Sequence, residues 1–160
     1  MLCCTILSFV SKGQDEEHIF LFKQNKGQWN SKVNFKADIL DGAMFLENTG
    51  ITYHFVDKSF IRKNHANKNA IAPESVHGHV IKVNFNKANK NPKIYTSRKA
   101  SHYENYFIGN DSTQWASNIG IFNEVTYSEM YPLIDFKIYE HESNMKYDFI
   151  VKPGGNTKNI

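Results

Sequence analysis

The chain has 160 residues, 41% apolar and 22% charged, with a formal net charge of +3. That length suits one domain, and the composition can fill a core without disulfides or metal, so a disordered chain and a cysteine scaffold are excluded. The lysines are scattered rather than gathered into a stripe, which argues against a nucleic-acid surface.

Both cysteines, Cys3 and Cys4, fall within the apolar run Leu2 to Val10. This run is too short to cross a bilayer as a helix. Small residues follow at Ser11 and Gly13, so residues 1–13 read as the remnant of a secretory signal peptide and Gln14 as the mature start. Residues 14–160 are then expected to form a single domain of an exported protein, extracellular or at the cell surface, and cysteine-free.

Along the chain, Ile19 to Phe22 is a short apolar run, and Lys23 to Gln28 reads as a turn. Val33 to Asp38 alternates, with Val33, Phe35 and Ala37 on one face. Ala43 to Glu47 and Ile51 to Val56 follow, separated by Asn48-Thr49-Gly50, so residues 33–56 predict a three-stranded meander. Residues 57–78 are polar and basic with little periodicity, and are expected to be a long exposed loop. Val80 to Asn86 restores alternation, with Ile81, Val83 and Phe85 expected inward. Lys93 to Tyr95 reads as a short strand and Tyr103 to Ile108 as extended chain. Ile119 to Tyr127 reads as a strand bulged at Gly120 or Asn123, and Ser128 to Pro132 as a helical turn. Ile134 to Tyr139 and Met145 to Val151 form a closing hairpin that Pro153-Gly154-Gly155 ends, leaving an exposed sheet edge. Many short strands and no sustained helical period predict an all-β fold, a two-sheet antiparallel β-sandwich with little or no helix. The final residues read as the start of a further strand, so the chain is expected to be the N-terminal part of a longer protein.

Chemistry-bearing residues are sparse. His77-Gly78-His79 places two imidazoles on one strand face, but no further ligand lies at a set spacing, so no metal site and no cofactor are expected. Asp135 and Asp148 sit between apolar neighbours, and paired carboxylates are the machinery of glycoside cleavage. Cross-strand pairing with Lys137 or Lys146 is the simpler role. No nucleophile elbow, P-loop or dinucleotide motif occurs, so no catalytic residue is assigned. Trp29, Tyr106 and Trp115 are the candidates for ligand stacking, since aromatic faces pack on sugar C–H groups and loops carry binding residues. Their plainer role is to plug the ends of a core.

Several segments carry a resemblance: Asn25-x-Gly27-Gln28, Val33-x-Phe35-x-Ala37 and Asn105-Tyr106-Phe107-x-Gly109-Asn110-Asp111 with Trp115. Val125-x-Tyr127, Tyr131-Pro132-x-Ile134-Asp135 and Lys146-Tyr147-Asp148-Phe149-x-Val151-x-Pro153-Gly154 continue it. The chain resembles the uncharacterised N-terminal β-sandwich domain of large exported Bacteroidetes proteins. The resemblance implies downstream SBBP repeats, PKD or other immunoglobulin-like modules, and a type IX, gliding-associated sorting domain. It implies no activity and no catalytic residues. The expected role is therefore a non-catalytic module, for structure, adhesion or binding, with glycans or other cell-surface modules as partners and no transmembrane span. The alternative is a glycan-active enzyme using Asp135 and Asp148.

Overall fold

The structure, a computed structural model, describes residues 20–59 and 75–160. The expected leader at 1–13 and most of the expected loop at 57–78 therefore lie outside the described residues. The strands are β1 (Phe22–Gln24), β2 (Val33–Ile39), β3 (Gly42–Glu47), β4 (Gly50–Val56), β5 (Gly78–Asn84), β6 (Lys93–Lys99), β7 (Glu104–Tyr106), β8 (Ala116–Ile119), β9 (Ile121–Tyr131), β10 (Ile134–His141) and β11 (Asn144–Val151). They pair antiparallel in the order β11-β10-β9-β1-β2-β3-β4-β5, with β6 also on β9, and β7 and β8 form a separate ribbon. Among the described residues no helix is long and apolar enough to cross a membrane.

The main sheet curls on itself. Phe85, just beyond β5 at one end of the strand order, packs 4.9 Å from the Phe136 ring of β10 and 6.2 Å from that of Phe149 in β11 at the other. Phe35, Met44, Leu46 and Ile51 from one half thus share a core with Val125, Tyr127, Ile134, Phe136 and Ile138 from the other. Each fully buried Leu, Ile, Met or Phe there stabilises the fold by roughly 1.5–3 kcal/mol before chain entropy is set against it. Among the described residues one polar side-chain atom is carried at a cost. The Tyr127 hydroxyl is buried without a well-formed hydrogen bond; the nearby Asn34 amide donates to Asn48 Oδ1 at 2.7 Å. Burial holds that phenol well above its ordinary pKa.

The meander over 33–56 is present as β2, β3 and β4, in the register Ala37↔Met44 and Met44↔Tyr53. The closing hairpin is present as β10 and β11. Its turn residues Glu142 and Ser143 have φ of 50° and 59°, the paired left-handed conformation that matches strand twist. As expected, β11 lies at the edge of the sheet.

Four expectations are corrected. Ser128 to Pro132 is no helical turn: β9 runs on through Tyr131. The register steps from Phe136↔Tyr127 to Ile134↔Tyr131, so three β9 residues oppose Asp135 alone. Glu129, at φ 52°, absorbs that bulge, and its N–H donates to Asp135 Oδ1 at 2.8 Å. Second, Ile81 and Val83 share the inward face, opposite Tyr53 and Ile51, but stay 46% and 40% exposed, because β5 is an edge strand that overhangs the core. Third, Ile119 to Tyr127 is not one bulged strand; Gly120 divides β8 from β9. A Cβ at Gly120 would stand 2.8 Å from the Phe122 ring. Fourth, Lys23 and Gln24 belong to β1 rather than to the turn after it.

Candidate functional site

The loop between β1 and β2 is shaped by Asn25. Its Nδ2 donates to the carbonyls of Asn30 at 3.0 Å and Val33 at 2.7 Å, while its Oδ1 accepts from Gly27 N at 3.0 Å. Gly27 takes φ 112°, which a side chain would strain. Gln28 Nε2 donates back to Gln24 O at 2.8 Å. These contacts give the Asn25-x-Gly27-Gln28 pattern a physical role: they fix the loop that carries Trp29.

Trp29 is half-buried, and its ring stands edge-on to Tyr106 with centroids 5.3 Å apart. From Tyr106 a chain of polar contacts returns to Trp29. The Tyr106 hydroxyl donates to Glu104 Oε2 at 2.9 Å, and Glu104 Oε1 lies 3.0 Å from Lys23 Nζ. Lys23 also meets Asp38 Oδ2 at 2.8 Å, and Asp38 Oδ1 meets Lys36 Nζ at 2.9 Å. Lys36 closes the circuit over the Trp29 ring, 5.7 Å from its centroid. Strands β1, β2 and β7 each contribute, so the circuit ties the small ribbon to the main sheet.

The electrostatics follow from that geometry. Burial alone pulls the Lys23 ammonium down, but its hydrogen bonds to Asp38 and Glu104 outweigh that and hold the group above its ordinary value. Burial pushes the Asp38 carboxyl up, and Lys23 and Lys36 together hold it below the usual range. The Tyr106 phenol is pushed up to about 12, by burial first and then by its bond to Glu104. Trp29 also borders two open cavities. One of about 430 Å³ includes Asn30, Lys32, Glu47 and Thr52, and one of about 520 Å³ includes Asn25, Ser31 and Gln114. An aromatic wall with amide, hydroxyl and charged groups beside it can hold a polar ligand that also has an apolar face.

The structure brings two of the three expected aromatics together and sets the third apart. Trp115 is 44% exposed and stands edge-on to Phe107 at 5.9 Å, and its Nε1 donates to Gly109 O at 3.2 Å. Neither ring plugs a core. Sequence reasoning missed Lys23, Lys36, Asp38 and Glu104. They come from three strands, of which β7 lies far from β1 and β2 in the chain, and nothing in their local spacing joins them.

The remaining candidates have other partners. Asp135 binds Lys152 Nζ at 2.8 Å besides the Glu129 amide, and Lys137 turns to Glu124 at 3.1 Å. Burial raises the Asp135 carboxyl, and the Lys152 ammonium, the Glu129 amide and the Ser128 hydroxyl together more than reverse that. Asp148 accepts a hydrogen bond from the Tyr139 hydroxyl. The expected lysine partners, Lys137 and Lys146, are thus replaced by Lys152 and Tyr139. His77 and His79 border a cavity of about 350 Å³ with Asp41 and Asp57, yet among the described residues no three His, Cys, Asp or Glu side chains are placed to hold a metal ion.

A family model described as "Domain of unknown function (DUF7948)" matches residues 22–160. Comparison with curated proteins finds no match, and comparison with solved structures finds none.

Proposed function

Since the chain belongs to the DUF7948 family of domains of unknown function, we propose for it the role of a non-catalytic module of an exported or cell-surface protein, one that binds a ligand without converting it. The observation that carries the reading is Trp29, fixed by the Asn25 loop, braced by Tyr106 and bordered by one largely apolar cavity and one of mixed lining. A glycan is the ligand class this chemistry suits, since a sugar offers C–H faces to an indole and hydroxyls to Asn30, Glu47 and Thr52. The leader-like residues 1–13 and the resemblance to N-terminal domains of large exported Bacteroidetes proteins support the cell-surface setting, with SBBP, PKD or sorting modules downstream. The curl of the main sheet supports a two-layer sandwich, in which β2–β4 lie over β9–β10 and β1 joins the layers through β9. Nuclear Overhauser contacts between Phe85 and Phe136 test that packing; their absence counts against it.

Asp135 and Asp148 are less suited to glycoside cleavage, since Lys152 and Tyr139 already hold them on a strand face. The binding reading is tested by a glycan array on the chain followed by calorimetry on the hits. Trp29→Ala is expected to weaken binding by about tenfold or more, with circular dichroism confirming the fold. A wild-type chain that binds no glycan, or a hit that the substitution leaves unchanged, removes the proposal.

A further inference from the structure

We infer that β11 is a self-association edge, on which a second copy of this chain adds its own β11 antiparallel across a two-fold axis at Tyr147. β11 ends the strand order and pairs with β10 alone among the described residues. The bond from Lys152 N to Leu133 O at 2.9 Å fixes its parity. Even-numbered residues turn their backbone groups toward β10, so Met145, Tyr147, Phe149 and Val151 turn theirs to the free edge. A second strand must therefore match odd with odd, and for two identical strands the axis passes through a residue.

Charge chooses among the central registers. An axis at Lys146 sets lysine against lysine, and one at Asp148 sets aspartate against aspartate. An axis at Tyr147 sets Lys146 opposite Asp148 of the second copy, and does so twice. The same register places Met145 opposite Phe149, and Tyr147 opposite its own copy. The side chains to be covered are bare in the single chain: Tyr147 is 60% exposed, Ile150 42% and Val151 41%. Lys146 is uncommitted, making no ion pair among the described residues. The edge at the far end of the strand order, β5, differs on both counts. In β5, Lys82 is already bound to Glu47 at 3.0 Å, and Gly78–Asn84 contains no acid to answer it. A lone lysine on an edge strand commonly repels further pairing, which makes the monomer the rival outcome.

The test is sedimentation velocity of the full chain over a wide concentration range. Wild type is expected to form a reversible dimer that weakens with added salt. K146D and D148K each turn two attractive pairs into two like-charge pairs, and each is expected to weaken the dimer by about tenfold or more. An equimolar mixture of the two variants restores both pairs and is expected to form the heterodimer. Circular dichroism and melting confirm that each variant folds. Should D148K fail to fold, K146D and the salt dependence decide. A wild type that stays monomeric throughout overturns the inference, as does a dimer unmoved by either substitution or a mixture that recovers nothing.

Discussion

β10 and β11 are two arms of one hairpin, with the same alternation of apolar and polar residues and a continuous ladder from Ile134↔Val151 to His141↔Asn144. Their fates differ. In β10, Ile134, Phe136 and Ile138 are fully buried, whereas β11 is exposed along most of its length. The cause is position. β10 lies between β9 and β11, and Phe85 covers its inner face from the far end of the curled sheet, while among the described residues β11 has a neighbour on one side only. Alternation thus specifies which face of a strand is apolar. The strand order specifies whether that face is covered.

Matched substitutions test this contrast. The largest loss is expected for Ile138→Ala, about 2–5 kcal/mol, because the site is sealed on all sides and leaves a cavity. Next comes Asp135→Asn, which keeps an acceptor for the Glu129 amide but removes the charge facing Lys152, at about 1 kcal/mol. Its pH dependence carries a sign. The folded carboxyl is held below its ordinary 3.8, so its contribution is full above that value and is lost as pH falls through the lower folded value. The gap between wild type and Asp135→Asn in urea melts should therefore be widest near neutrality and close in acid. Ile150→Ala on the bare strand should change stability least, within about 0.5 kcal/mol in dilute solution. Equal losses for Ile138→Ala and Ile150→Ala in dilute solution would break the contrast and show β11 to be covered there.

What the sequence made legible follows the same division. The meander over 33–56 and the closing hairpin declare themselves, since period-two alternation and short turns act within a few residues. The run from Ser128 to Pro132 misleads, because a helical turn and a bulge both break the alternation, and only the facing Asp135 tells them apart. Ile81 and Val83 read as inward because their pattern is that of a covered strand, yet nothing in it reveals that β5 ends the sheet. At the candidate site, Trp29 and Tyr106 stood out by residue type. The charges joining them were hidden, since Lys23, Asp38 and Glu104 meet only after the sheet and its ribbon have come together.

β1 has one more consequence, which concerns the order of folding. Its pairing of Phe22 with Phe122 spans 122 − 22 = 100 positions of chain, whereas β2–β4 and β9–β11 are joined by short turns. Closing so long a loop costs chain entropy before any contact repays it, while the local ladders form at little such cost. Two small meanders should therefore assemble first and a three-residue strand should stitch them together last. In refolding kinetics, substitutions at Phe22 should then speed unfolding with little change in the folding rate.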